Sequence, residues 1–218
     1  MKQAGFDFFD VDHTITRRST GGRFMMRAIA RGFVPWSIAL ALPWYGVAYR
    51  LGILRFNGRV DILGALRGVP RADLEALARE TFEQRVRGDL NQGVERLIRE
   101  RLAAGRRVVL ATSTLDVIVA PLAAHLGVRD VIATTLEFED GVATGRVAGL
   151  PLVWSEKQRR VLAFVRESGG DPRQCSFYSD SIYDLPLLEE VGEPVAVNPD
   201  FRLRRIAARR GWRIIDNR

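Results

Sequence analysis

Near its start the chain runs Phe6-Asp7-Phe8-Phe9-Asp10-Val11-Asp12-His13-Thr14. Phe6, Phe8, Phe9 and Val11 make a mostly apolar run that reads as a buried strand. The run delivers two carboxylates, Asp10 and Asp12, at its C-terminal end. Residues two apart in an extended chain point to the same side, so both acids can face one site. Close carboxylates repel each other, and a hard divalent cation such as Mg²⁺, which takes oxygen ligands, offsets that repulsion. A strand ending in a solvated acidic turn is the simpler reading of these residues in isolation. What the rest of the chain brings to the same place decides between the two.

A chain of 218 residues can bury a sizeable core, as one domain with a large insertion or as two small domains. The single cysteine, Cys175, excludes an internal disulfide, suits a reducing compartment and leaves no cysteine cluster for zinc. Residues 1–5 run straight into the first strand with no signal-peptide pattern, so a cytoplasmic protein is expected. The net charge of +7 is unevenly spread. Residues 13–60 hold eight arginines and no acid, which alone gives +8, so the remainder is close to neutral. A second basic group, Arg202, Arg204, Arg205, Arg209, Arg210 and Arg213, lies near the C-terminus. Basic faces favour phosphorylated or lipid anions. No nucleic-acid recognition motif is present, so no specific nucleic-acid partner is expected.

Residues 16–88 read as a mostly helical insertion, with a short basic helix over 21–31 and a single helix over 71–87 carrying Leu74, Leu77, Ala78 and Phe82 on one stripe. Residues 33–54 carry no charge until Arg50 and hold Trp36, Trp44, Tyr45 and Tyr49. Pro35 and Pro43 count against a membrane span. Two readings stay open: a buried helix pair, or an interfacial segment docking peripherally on an anionic membrane at its inner face. From residue 91 onward helices and strands alternate. Helices are expected at 91–104, 115–126, 155–168, 184–191 and 202–209, and strands at 107–111, 131–133, 175–179, 194–197 and 213–215. A hairpin turns at Glu139-Asp140-Gly141. The expected fold class is α/β, a doubly wound and mainly parallel sheet with helices on both faces and a Rossmann-like core. Residues 1–15 and 89–218 form that core, and 16–88 form a helical cap overhanging the carboxyl ends of the strands, where such sheets bind ligands.

Three further pieces fall at that edge. Val108–Thr114 is a strand ending in hydroxyls, and Thr112 beside helix-start N–H groups can bind phosphate oxygens. Lys157 sits early in a helix, where a cation gains only by facing an anion. Ser179-Asp180-Ser181-Ile182-Tyr183-Asp184 puts two acids at a strand-to-helix turn. There Asp180 can ligate a metal and Asp184 can orient it. In this order the pieces resemble the haloacid dehalogenase-like superfamily, and the tail Tyr178–Asp200 with Gly211–Ile215 resembles its phosphoserine-phosphatase-like branch.

The resemblance implies a phosphatase acting on a phosphomonoester. Asp10 would be the nucleophile, giving an aspartyl-phosphate. Asp12 would be general acid and then general base. Thr112 and Lys157 would bind the transferring phosphoryl group. Mg²⁺ would be the cofactor, with Asp10, Asp12, Asp180 and Asp184 on its side of the site. Thr14, Arg17, Arg18, Ser113 and Ser181 would lie on the substrate side, and His13 would be a loop residue. Phosphoserine phosphatases carry a cap Glu, seven residues after the second Asp, that meets the substrate ammonium. That position here is Ser19, so an anionic, partly apolar phosphomonoester is expected instead, lipid-linked as the apolar cap of bacterial phosphatidylglycerophosphate phosphatases implies. The alternatives are a soluble sugar, histidinol or nucleotide phosphate, or phosphotransfer from the same intermediate.

Overall fold

The computed structural model describes residues 5–40 and 63–216. Six parallel strands form the central sheet: β1 (Phe6–Phe9), β2 (Arg107–Leu115), β3 (Asp130–Thr134), β6 (Ser176–Ser179), β7 (Glu193–Val197) and β8 (Arg213–Ile215), in the order β3-β2-β1-β6-β7-β8. The chain lays down β1, β2 and β3 on one side, then crosses to build β6, β7 and β8 on the other. The carboxyl ends of β1, β2 and β6 therefore meet where the winding reverses, the place where open parallel sheets bind ligands.

Both faces of the sheet are covered, which is why β1 is almost continuously apolar. Phe6 and Phe8 pack with Val161 and Val165 of α5 (Ser155–Glu167) and with Leu203 and Ala207 of α7 (Phe201–Arg210). Phe9 packs on the other face with Val94 and Ile98 of α3 (Gln92–Ala103) and Leu122 and Leu126 of α4 (Asp116–Leu126). Its ring stacks on Tyr178 of β6 with centroids 4.2 Å apart. Each such side chain contributes about 1.5–3 kcal/mol by leaving water. Asp10 continues the ladder, its N–H donating to the Tyr178 carbonyl at 2.9 Å.

The chain leaves the sheet at Thr16 and returns at Leu90, and these two residues pair with each other. Arg17 N–H donates to the Asp89 carbonyl at 3.0 Å, and Asn91 N–H to the Ile15 carbonyl at 2.8 Å. Between them lie α1 (Thr20–Ala30) and α2 (Arg71–Thr81). Phe24, Met25, Ala28, Leu74 and Leu77 form a separate apolar cluster that also takes in Leu115 and Val117. The antiparallel hairpin of β4 (Leu136–Glu139) and β5 (Val142–Val147) joins the same cluster through Leu136 and Ala143. Gly68 N–H donates to the Ala143 carbonyl at 2.9 Å and Arg71 N–H to the Gly141 carbonyl at 2.8 Å, so the hairpin pairs with the chain just ahead of α2. Asp140 and Gly141 both have positive φ, 49° and 79°, which the two-residue turn requires.

Several sequence expectations change. The single helix over 71–87 ends at Thr81 and gives way to a π-turn over Phe82–Val86, where the Arg85 carbonyl accepts from Arg23. The strand expected over 107–111 continues to Leu115, because a register shift beside β3 keeps Leu115 paired with Thr134. The helix expected over 184–191 is only α6 (Leu185–Leu188), preceded by a 3₁₀ turn over Ile182–Asp184. The basic stretch is partly neutralised: Arg23 pairs with Asp89 at 3.1 Å, and Arg27 and Arg31 both pair with Glu80. Of the apolar stretch over 33–54, residues 41–54 lie outside the described residues. Val34 is buried within it, while Trp36 and Leu40 are each 73% exposed. Among the described residues no helix is long and apolar enough to cross a membrane.

Candidate active site

Lys157 is the centre of the arrangement. It lies in the first turn of α5 and is almost fully buried. Its Nζ donates to Asp10 Oδ1 at 2.7 Å and to Asp184 Oδ1 and Oδ2 at 2.9 and 2.8 Å. A cation at a helix N-terminus is unfavourable by itself, and these two carboxylates supply the missing partners. Asp180 stands in the same group, crowded by Asp10 and Asp184, and accepts from Thr14 Oγ1 at 3.4 Å.

Three carboxylates thus surround one ammonium group. Burial pushes Asp10 up to about 7; the charges of Asp184 and Asp12 add to the rise, and Lys157 opposes it. Asp180 is raised well above the usual carboxylate range, first by burial and then by Asp10 and Asp184. Excess negative charge held away from water is what a divalent cation would relieve. Among the described residues no three acidic, histidine or cysteine side chains form a ready metal cage. A hard cation such as Mg²⁺ is usually held by one or two carboxylates together with water and substrate phosphate, and Asp10 and Asp180 fit that donor set.

Asp184 departs from its expected metal-side position. Both its oxygens go to Lys157, and Oδ2 also accepts from Ser179 Oγ at 2.6 Å. It holds the lysine. Asp12 turns toward the start of the insertion, accepting from Ser19 Oγ at 3.0 Å, Thr20 N–H at 2.9 Å and Thr20 Oγ1 at 2.6 Å, and from Thr114 Oγ1 at 3.3 Å. Thr112 is buried at the end of β2 and accepts from Thr114 N–H at 3.2 Å. It lies inside the strand, four residues before α4 begins. The Ser113 main-chain carbonyl, within β2, accepts from Thr134 Oγ1 at 2.8 Å, and Ser181 Oγ accepts from Tyr183 N–H at 3.3 Å, capping the 3₁₀ turn. Arg17 and Arg18 are exposed just beyond the site. His13 has φ 64°, and its Nδ1 lies 3.2 Å from the Arg17 carbonyl oxygen, consistent with a loop role.

The sequence did not reveal the contacts that five residues make in the arrangement: Ser179, Ser19, Thr20, Thr114 and Asp200. Asp200 caps α7 and also accepts from Ile182 N–H at 2.7 Å, while its own N–H donates to the Asp180 carbonyl at 2.8 Å. It clamps the loop that carries Asp180. An Asn-Pro-Asp run before a helix is a legible cap signal, and so is Ser-Thr before Gly21. Neither signal says which loop or acid the capping group also reaches.

Residues 8–189 match the family described as haloacid dehalogenase-like hydrolases. Phosphoserine phosphatase SerB1 of Mycobacterium tuberculosis is 34% identical over 216 residues, covering 97% of this chain and 70% of that protein. Histidinol-phosphatase of Neisseria meningitidis is 28% identical over 214 residues, covering 95% of this chain and 96% of that protein. A crystal structure of a Bordetella pertussis protein of unknown function is similar over all of both chains, with a TM-score of 0.88 and 31% identity.

Proposed function

Since the chain belongs to the haloacid dehalogenase-like hydrolases and is a phosphatase, we propose that it hydrolyses its phosphomonoester through a phosphorylated Asp10. The observation that carries this is the buried lysine shared by Asp10 and Asp184 at the carboxyl ends of β1 and β6. The Asp10 carboxylate attacks phosphorus and the ester P–O bond breaks. Asp12 gives its proton to the departing oxygen, then takes one from the water that attacks the aspartyl-phosphate, restoring both acids. Lys157, fixed by Asp184, and Thr112 meet phosphoryl oxygens, where preorganised charge contributes most. A Mg²⁺ ion held by Asp10, Asp180 and the Asp12 carbonyl would supply further positive charge to the phosphoryl group.

Ser19 spends its hydroxyl on Asp12 and on Gly22 N–H, so it offers no carboxylate to a substrate ammonium. Phosphoserine is therefore a poor fit. Two substrate readings have support. Exposed Trp36 and Leu40, with Arg17 and Arg18 exposed before α1, favour a lipid-linked phosphomonoester reached by peripheral docking on an anionic membrane. The nearly full-length likeness to a histidinol-phosphatase favours a soluble ester.

The test is Mg²⁺-dependent phosphate release by the wild type and Asp10→Asn. The panel is phosphoserine, histidinol phosphate, sugar and nucleotide monophosphates, and phosphatidylglycerophosphate in vesicles, with and without added alcohol. Preference for the vesicles supports the first reading, and preference for a soluble ester the second. Phosphorylated alcohol in place of phosphate would make the protein a phosphotransferase. Undiminished release by Asp10→Asn would remove Asp10 as nucleophile.

A further inference from the structure

The four hydrogen bonds to Asp12 are unequal. An ionised carboxylate has about four acceptor positions. Here four donors reach the group: Thr20 N–H and Oγ1 on Oδ1, and Ser19 Oγ and Thr114 Oγ1 on Oδ2. To move a proton, Asp12 must give up one of them. On Oδ1 the bonds are 2.9 and 2.6 Å, one from a main-chain N–H fixed in the first turn of α1 and one from a buried threonine. A helix's first N–H groups have no partner within the helix, so this one gains by staying bound. On Oδ2 they are 3.0 and 3.3 Å, and both donors are hydroxyls. A hydroxyl can rotate away, or can accept in turn, at little cost.

We infer that Asp12 transfers protons through Oδ2 while Oδ1 is the tether, and that Thr20, on the first cap helix, is the positioning residue that holds it. This rests on the aspartyl-phosphate reading. Each cycle then moves one proton from Asp12 Oδ2 to the leaving oxygen and one from water back to Oδ2, while Thr20 keeps its own. The acid–base group of the core is therefore aimed by the insertion, and a cap helix that shifts takes the tether with it.

The probe is p-nitrophenyl phosphate. Its leaving group departs without a proton, so the first step spares Asp12 while hydrolysis of the phosphorylated enzyme still needs it. Thr20→Val keeps the side-chain shape and removes the hydroxyl. The expected result is a kcat about 10- to 100-fold lower, a portion of what general acid–base catalysis supplies. KM should fall in step, so that kcat/KM stays within about twofold, and acid-quenched enzyme should carry more phosphate at steady state. Thr20→Ser should restore turnover to near wild type and return the phosphoenzyme to its wild-type level. Wild-type behaviour of Thr20→Val, no rise in phosphoenzyme, or Thr20→Ser failing as badly as Thr20→Val would each overturn the assignment. If the wild type gives neither phosphate nor phosphoenzyme, the functional reading falls and takes this inference with it.

Discussion

Two aspartates three residues apart in the sequence, at the two ends of β1, bury their carboxylates in opposite ways. Asp7, at the amino end, is fully buried and matched. Arg106 forks onto it, Nε to Oδ2 and Nη2 to Oδ1, each at 3.0 Å, and Ser176 Oγ donates as well. Asp10, at the carboxyl end, shares one lysine with Asp184 beside Asp180, and its carboxyl is pushed up to about 7. One guanidinium for one carboxylate makes a joint. One ammonium for three carboxylates leaves a deficit of positive charge, which suits a site meant to receive a cation and then a phosphoryl group. Burial of an acid does not by itself mark function; the imbalance around it does.

Four measurements would break or sharpen that contrast. Asp10→Asn should lower phosphate release by about 10⁴-fold or more, since the proposed nucleophile is lost. Lys157→Met should lower it by about 10²- to 10³-fold, because the fixed positive charge at the phosphoryl group is gone while Asp10 remains. Asp7→Asn should leave kcat per folded molecule within about twofold and cost about 2 kcal/mol in urea unfolding. That is less than for a wholly buried pair, because Arg106 keeps 34% of its side chain exposed. Activity lost in step with Asp7 would erase the distinction between the two ends of β1.

The fourth is a pH effect. The folded value of Asp10, about 7, lies above its ordinary 3.8, so the protonated form favours folding. That stability is complete below pH 4 and is lost as pH rises through 7. Metal-free wild type should therefore weaken in urea between pH 5 and pH 8 more than Asp10→Asn does. A Mg²⁺ ion bound at Asp10 would have to displace the same proton, so its affinity by calorimetry should rise about five- to tenfold from pH 6 to pH 8. A flat profile would mean that Asp10 is already ionised without the metal.

The alternation of strands and helices was legible because each element carries its own period, and the placing of Asp10, Lys157 and Asp180 at one sheet edge because strand ends and helix starts converge there. Less legible was what each polar group spends itself on. Asp184 has the spacing of a metal ligand, but its carboxylate is taken by Lys157 and Ser179. The helix expected from Leu115 starts one residue later, because Leu115 still has a partner in β3. Arg27 and Arg31 look unopposed because Glu80, which pairs with both, is about fifty residues away along the chain. Such pairings are settled by tertiary geometry, which local propensity does not carry.

The hairpin pairs with the chain ahead of α2, and that bears on how this protein could be taken apart. Gly145 of β5 has φ 78°, and a β-carbon there would come within 2.9 Å of Gly64 Cα and 3.3 Å of the Gly64 carbonyl oxygen. A cap exchanged as a cassette cut at 16 and 88 would leave Leu136 and Ala143 with Leu115 and Val117 but without the apolar side chains of α1 and α2, facing a foreign surface at van der Waals range. The heritable unit is discontinuous: residues 16–88 and residues 136–147 have to be transplanted, or to drift, together.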